Sequence, residues 1–183
     1  MVGLGTWQSF DVGTSASERA PREAVLREFS ALGGTVVDSS PMYGRSEAVV
    51  GDLVSVLGIR SRLFLATKVW TSGRREGIAG MDESMRRMRA DPIDLMQVHN
   101  LVDTRTHLGT MREWKVAGRI RYVGVTHYTD ASHEELARLV ASESLDFVQI
   151  NYSAAERNAE RRLLPLAAER GVAVIANRPL ASG

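Results

Sequence analysis

Short apolar runs rich in strand-forming residues recur along the chain: Val2–Trp7, Thr35–Asp38, Leu63–Val69, Asp94–His99, Tyr122–Thr126, Asp146–Asn151 and Ala173–Asn177. Their first residues are separated by 33, 28, 31, 28, 24 and 27 positions. Between the runs, apolar residues fall at helical spacing. Val25, Leu26, Phe29 and Leu32 form the first stripe and Val49, Val50, Leu53 and Leu57 the second. Met81, Met85 and Met88 form the third, and Leu136, Leu139 and Val140 the fifth. Such stripes predict amphipathic helices with one face on a core. The fourth helix, over about His107–Val116, is the least regular.

The punctuation agrees. Pro21 suits a first helical turn, Ser46 can cap the second helix, and Pro165 is placed in the first turn of the sixth. Gly33, Gly58, Gly118 and Gly171 follow the periodic stretches, where a left-handed terminus favours glycine. Strands alternating with helices at this spacing predict βαβ units, a parallel sheet and the α/β class. The strand runs are almost continuously apolar, as strands covered on both faces are. No linker or low-complexity segment divides the chain, so residues 1–183 are read as one domain.

The period bears on architecture. A closed (β/α)8 TIM barrel occupies about 250 residues. Seven strands and about six helices are visible, and an eighth strand at this spacing would begin past residue 183. The expectation is a TIM barrel truncated after strand seven, with two open sheet edges that favour association.

Composition removes several classes of function. A net charge of +1 argues against nucleic acid or an anionic membrane as the main partner. The chain has no cysteine, which excludes disulfide scaffolds, thiolate metal sites and a thiol nucleophile. No apolar run is long enough to cross a membrane, and Met1–Phe10 lacks the basic lead of a signal peptide, so a cytoplasmic location is expected. One count adds information. Only Lys68 and Lys115 are lysines in a chain whose other 21 strongly basic residues are arginine.

In barrels of this kind, chemistry sits at the C-terminal ends of the strands. Asp38, Lys68 and His99 stand at the ends of runs two, three and four, and Tyr43 follows in the loop after Asp38. Each alone reads as a turn cap, a packing aromatic or a solvated terminus. Four ionisable groups at equivalent positions read as a site. Lysine, unlike arginine, is a compact charge that can be set against one oxygen. Beside Asp38 it would remain charged, and its charge would lower the Tyr43 phenol from its usual value of about 10. Tyr43 would then donate a proton to a carbonyl oriented by His99, with hydride from a cofactor.

The quoted residues, with their flanks, resemble the aldo-keto reductase superfamily. The matching segments are Gly3-Leu4-Gly5-Thr6-Trp7, the stretch from Val37 to Glu47, Ala66-Thr67-Lys68-Val69-Trp70, Gln97-Val98-His99, the stretch from Arg121 to Thr126, and the stretch from Val148 to Ser153. The resemblance implies a TIM barrel that reduces an aldehyde or ketone without a metal. It implies Tyr43 as general acid, Lys68 and Asp38 as the pair that tunes it, and His99 as the carbonyl-orienting group. NADPH is the implied cofactor, with NADH as the alternative, and a small carbonyl compound is the implied partner. Gly5, Thr6 and Asp38 match positions near the nicotinamide ribose, and Gln149 matches the carboxamide partner. Trp7 and Trp70 match substrate-pocket aromatics.

The chain departs from the family in places. Thr126-His127 stands where Ser-Asn is usual, and Asn177-Arg178-Pro179-Leu180 where Tyr-Ser-Pro-Leu is usual. The stacking tyrosine is thus replaced by Asn177, and Arg178 faces either the cofactor phosphates or solvent. The family's adenosine-phosphate segment and its N-terminal hairpin are not in the chain. Two alternatives stand beside the reductase. One is a non-catalytic truncated chain that does not bind cofactor. The other, a metal-dependent hydrolase, fits poorly because His99, His107, His127 and His133 form no close His pair and a strand-end lysine repels a divalent ion.

Overall fold

The computed structural model describes residues 2–180. Strands and helices alternate: β1 (Gly3–Gly5), α1 (Ala16–Ala31), β2 (Val36–Asp38), α2 (Ser46–Leu57), β3 (Phe64–Val69), α3 (Arg74–Met88), β4 (Ile93–His99), α4 (Thr104–Val116), β5 (Ile120–Thr126), α5 (His133–Ser142), β6 (Phe147–Asn151), α6 (Leu163–Glu169) and β7 (Ala173–Asn177). The seven strands make one sheet in chain order, and every neighbouring pair is parallel. These are consecutive βα steps of a (β/α)8 barrel. Among the described residues, β1 and β7 are its edges.

The sequence periodicity finds the elements, with differences at their ends. The first strand is Gly3–Gly5 rather than Val2–Trp7, because the chain turns after Thr6. The fourth helix starts at Thr104, three residues before the expected position. Pro165 lies in the first turn of α6. Pro21 lies inside α1, which already begins at Ala16 behind an Ser15 cap that accepts from the Glu18 N–H. Ser46 is the first helical residue of α2 and not its cap; its hydroxyl instead donates to the Thr6 carbonyl at 3.3 Å. Gly58 ends α2 in the left-handed region (φ 64°), where a side chain would be strained.

The core lies between the sheet and its helices. Val49, Val50 and Leu53 of α2, Met81, Met85 and Met88 of α3, and Leu136 and Val140 of α5 are buried against β-strand residues such as Val37, Leu65, Met96, Val98 and Val148. The α1 stripe is narrower than its spacing suggests. Leu26 is fully buried, while Val25 is 46% and Leu32 79% exposed. Leu32 is the C-cap residue of α1, beyond its last turn.

Strand ends are tied by two carboxylates, Asp94 fully buried and Asp146 partly so. At the N-terminal end of the sheet, Asp94 accepts from the Leu65 N–H at 2.9 Å and from Arg121 at 2.8 Å. Asp146 accepts from the Val123 N–H at 2.8 Å and from Lys115 at 2.7 Å. The second lysine of the chain is thus a strut between α4 and the start of β6.

Gly51 lets α2 approach the end of α3 closely. A Cβ there would overlap the Arg87 carbonyl oxygen and crowd the Met88 backbone. Backbone cannot swing aside as a side chain can. Gly51→Ala is therefore expected to lower the unfolding free energy by about 1–3 kcal/mol despite alanine's better helix propensity. Denaturant titration checks this, and an unchanged or raised midpoint contradicts the packing described.

Candidate active site

Strand register sets the site. Gly5 is level with Asp38 and Lys68 with Gln97. His99 is level with Thr126, and Thr126 with Gln149. Because side chains alternate along a strand, Gln97 and His99 face the same side. The register therefore gathers polar groups from β2 to β6 at the C-terminal end of the sheet.

At the centre is a buried ion pair. The Lys68 ammonium donates to Asp38 Oδ2 at 2.7 Å and to the Ser39 carbonyl at 2.6 Å. Lys68 is 1% exposed, and Asp38 is also buried. Two amides complete the carboxylate's shell: Gln97 Nε2 donates to Oδ1 at 3.3 Å and Gln149 Nε2 to Oδ2 at 3.1 Å. Thr6 braces the same turn, its hydroxyl donating to the Asp38 carbonyl at 3.0 Å. A lysine in this setting is a fixed positive charge.

Tyr43 and His99 stand over that charge. The Lys68 ammonium is 5.1 Å from the centroid of the Tyr43 ring. The Tyr43 and His99 rings meet edge to face with centroids 6.0 Å apart. Burial raises the Tyr43 phenol above its ordinary value; the Lys68 charge opposes this and the Asp38 charge reinforces it. This corrects the sequence expectation of a net decrease. Proximity of Lys68 is as expected, but desolvation of a half-buried phenolate outweighs it. Burial, then the Lys68 charge and His127, push the His99 imidazole down to about 3, so the ring is neutral near pH 7.

The remaining expected residues divide into two groups. Gln149 joins the centre and also donates to Asn177 Oδ1 at 2.6 Å, so Asn177 holds this amide. Thr126 is buried at the end of β5 beside it. His127 lies just beyond, with Nδ1 accepting from the Thr129 N–H at 3.3 Å and its ring stacked on Tyr128. Gly5 is exposed, and a side chain there would meet only open space. Trp7 and Trp70 sit on the rim, 62% and 48% exposed. Arg178 is half exposed and approaches Glu156 at 3.8 Å. Neither tryptophan nor Arg178 makes a hydrogen bond to the Asp38–Lys68 centre.

Two further residues emerge from the geometry. Gln97 carries a detectable sequence signal, lying two residues before His99 on the same strand face. Behind β3, Glu47 is fully buried and accepts from the Thr67 hydroxyl at 2.5 Å. That contact ties the start of α2 to the residue preceding Lys68. Burial raises its carboxyl above the usual carboxylate range.

One feature bears directly on a nicotinamide. The Oε1 atom of Gln149 is buried and accepts no hydrogen bond among the described residues. An acceptor left unpaired in a protein interior is costly, and a carboxamide N–H would satisfy it. The residues present therefore fit such a group at this end of the sheet.

The aldo/keto reductase family model matches residues 1–183. The chain is 33% identical over 186 residues to methylglyoxal reductase YeaE of Escherichia coli, covering 98% of this chain and 64% of that protein. It is 29% identical to aldo-keto reductase YhdN of Bacillus subtilis, covering all of this chain and 59% of that protein. Among solved structures, an aldo/keto reductase from Klebsiella pneumoniae in complex with NADP and acetate superimposes with a TM-score of 0.82 at 30% identity. That match covers 98% of this chain and 64% of the other. The chain thus spans less than two thirds of these relatives. A family match along its whole length, on strands of the same topology, shows that the chain belongs to the aldo/keto reductase family.

Proposed function

We propose that this chain carries the catalytic end of an NADPH-dependent reductase of small aldehydes or ketones. The observation that carries the reading is the Lys68–Asp38 pair, buried directly beneath Tyr43 and flanked by a neutral His99. Support for the cofactor comes from the unpaired Gln149 acceptor and from the NADP complex of the Klebsiella relative.

Gln149, with Thr126 and His127 at the adjacent strand end, would hold the nicotinamide carboxamide. Gly5 and Asp38 would lie near its ribose. When bound, NADPH supplies the hydride for the carbonyl carbon. The chain's own residues handle the oxygen. His99 donates a hydrogen bond that fixes the carbonyl's direction, which converts encounter into alignment. Tyr43 then transfers its phenolic proton to the oxygen as negative charge develops there. The phenolate left behind forms next to the Lys68 ammonium, so the same charge that fails to ionise the resting phenol stabilises it after proton transfer. Trp7 and Trp70, exposed above the site, are proposed to cover the substrate. Arg178, exposed at the end of β7, is proposed to meet a cofactor phosphate.

Three results are expected. NADPH titrated into the purified chain should give saturable nicotinamide fluorescence, and a folded chain without binding contradicts the cofactor assignment. Tyr43→Phe should reduce carbonyl turnover by about 10²–10⁴-fold, the usual range for a positioned acid, with cofactor affinity unchanged. An active Tyr43→Phe variant would remove the phenol from its role. The pH dependence follows from the two ring groups. Tyr43 acts while protonated and its pKa is raised, so kcat/KM should hold through neutral pH and fall only above about pH 10. His99 is neutral well below its ordinary range, so no break is expected near pH 6.5, and one there would show that it titrates.

A further inference from the structure

Ser40, two residues past Asp38, is fully buried. Its hydroxyl oxygen lies 3.1 Å from His99 Nδ1 and accepts a long contact from the Met42 N–H at 3.4 Å. A serine hydroxyl has one hydrogen to place. Among the described residues, the only acceptor within reach is His99 Nδ1. If Nδ1 itself carried a proton, it would donate to the Ser40 oxygen, and the Ser40 hydrogen would be buried without a partner. Folded proteins seldom tolerate that arrangement. The hydrogen-bond inventory therefore places a lone pair on Nδ1 and the ring proton on Nε2. No group of the described residues pairs with Nε2.

We propose that Ser40 is a positioning residue for His99: it donates to Nδ1, fixes the Nε2–H tautomer, and holds that N–H toward the carbonyl oxygen. The role of the N–H rests on the reductase reading above; the tautomer does not. The opposite tautomer would present a lone pair to the substrate oxygen and repel it. Charge cannot substitute, because burial and Lys68 keep this imidazole neutral near pH 7, so tautomer alone decides whether it donates. The edge contact with Tyr43, at an interplanar angle of 85°, restrains the ring from a second side.

The test is nitrogen NMR of the chain carrying 15N-histidine, with the His99 signals identified by their loss in His99→Gln. In the unaltered protein at pH 7, Nδ1 should be pyridine-like and hydrogen-bonded, and Nε2 pyrrole-like. A protonated Nδ1 overturns the proposal whether or not any variant folds. In Ser40→Ala, the Nδ1 resonance should move toward its unbonded position. Unchanged resonances in a folded Ser40→Ala chain overturn the role of Ser40. Carbonyl kcat/KM should drop about five- to tenfold, as for loss of one hydrogen bond, while NADPH affinity stays the same. A chain that turns over no carbonyl yet shows the expected resonances defeats the reductase reading and supports the Ser40 assignment.

Discussion

The C-terminal end of this sheet is organised by one buried charge. Lys68 has left water almost completely, and a lone ammonium in that position would be expensive. Asp38 answers it at 2.7 Å, and the Ser39 carbonyl answers it again at 2.6 Å. Asp38 is in turn held by Gln97 from β4 and Gln149 from β6. Four strands thus meet on one carboxylate. The loop after β2, which carries Ser40 and Tyr43, leaves the sheet from that same anchored turn. Burial sets the main direction for both rings; the Lys68 charge adds to it in lowering the His99 imidazole and opposes it at the Tyr43 phenol.

Much of the fold was legible in the hydrophobic pattern, since each strand is a short apolar run and each helix a stripe. The limits were physical. A stripe reports which residues share a face and not how wide a neighbour covers that face, so Val25 and Leu32 are exposed where burial was expected. Cap chemistry can be met by several residues: Ser46 has the right side chain, but its hydroxyl is engaged by the Thr6 carbonyl. Helix starts are set by where capping works, so Pro21 falls inside α1 once Ser15 takes the cap.

The site followed the same division. Asp38, Lys68 and His99 could be placed at strand ends by counting, and Tyr43 by its distance from Asp38. Their mutual electrostatics could not. The direction of the phenol shift depends on how much water Tyr43 loses, a quantity with no local sequence signal. Ser40 was visible only as part of a motif, because its partner is 59 residues away. Gln97 was the readable omission. The positions where the chain departs from family habit divide as well: Asn177 is drawn into the centre through Gln149, while Arg178 lies on the exposed rim toward Glu156.

The dependence of this end of the sheet on one pair is measured by a thermodynamic cycle of Asp38→Asn, Lys68→Met and the double variant under denaturant unfolding. Removing either partner alone strands a buried charge or its shell and should cost about 3–5 kcal/mol. The double variant should cost clearly less than the two singles together, by more than the roughly 0.5 kcal/mol within which independent sites add. Additive losses would mean that Lys68 and Asp38 act separately and that the account of a single organising charge is wrong.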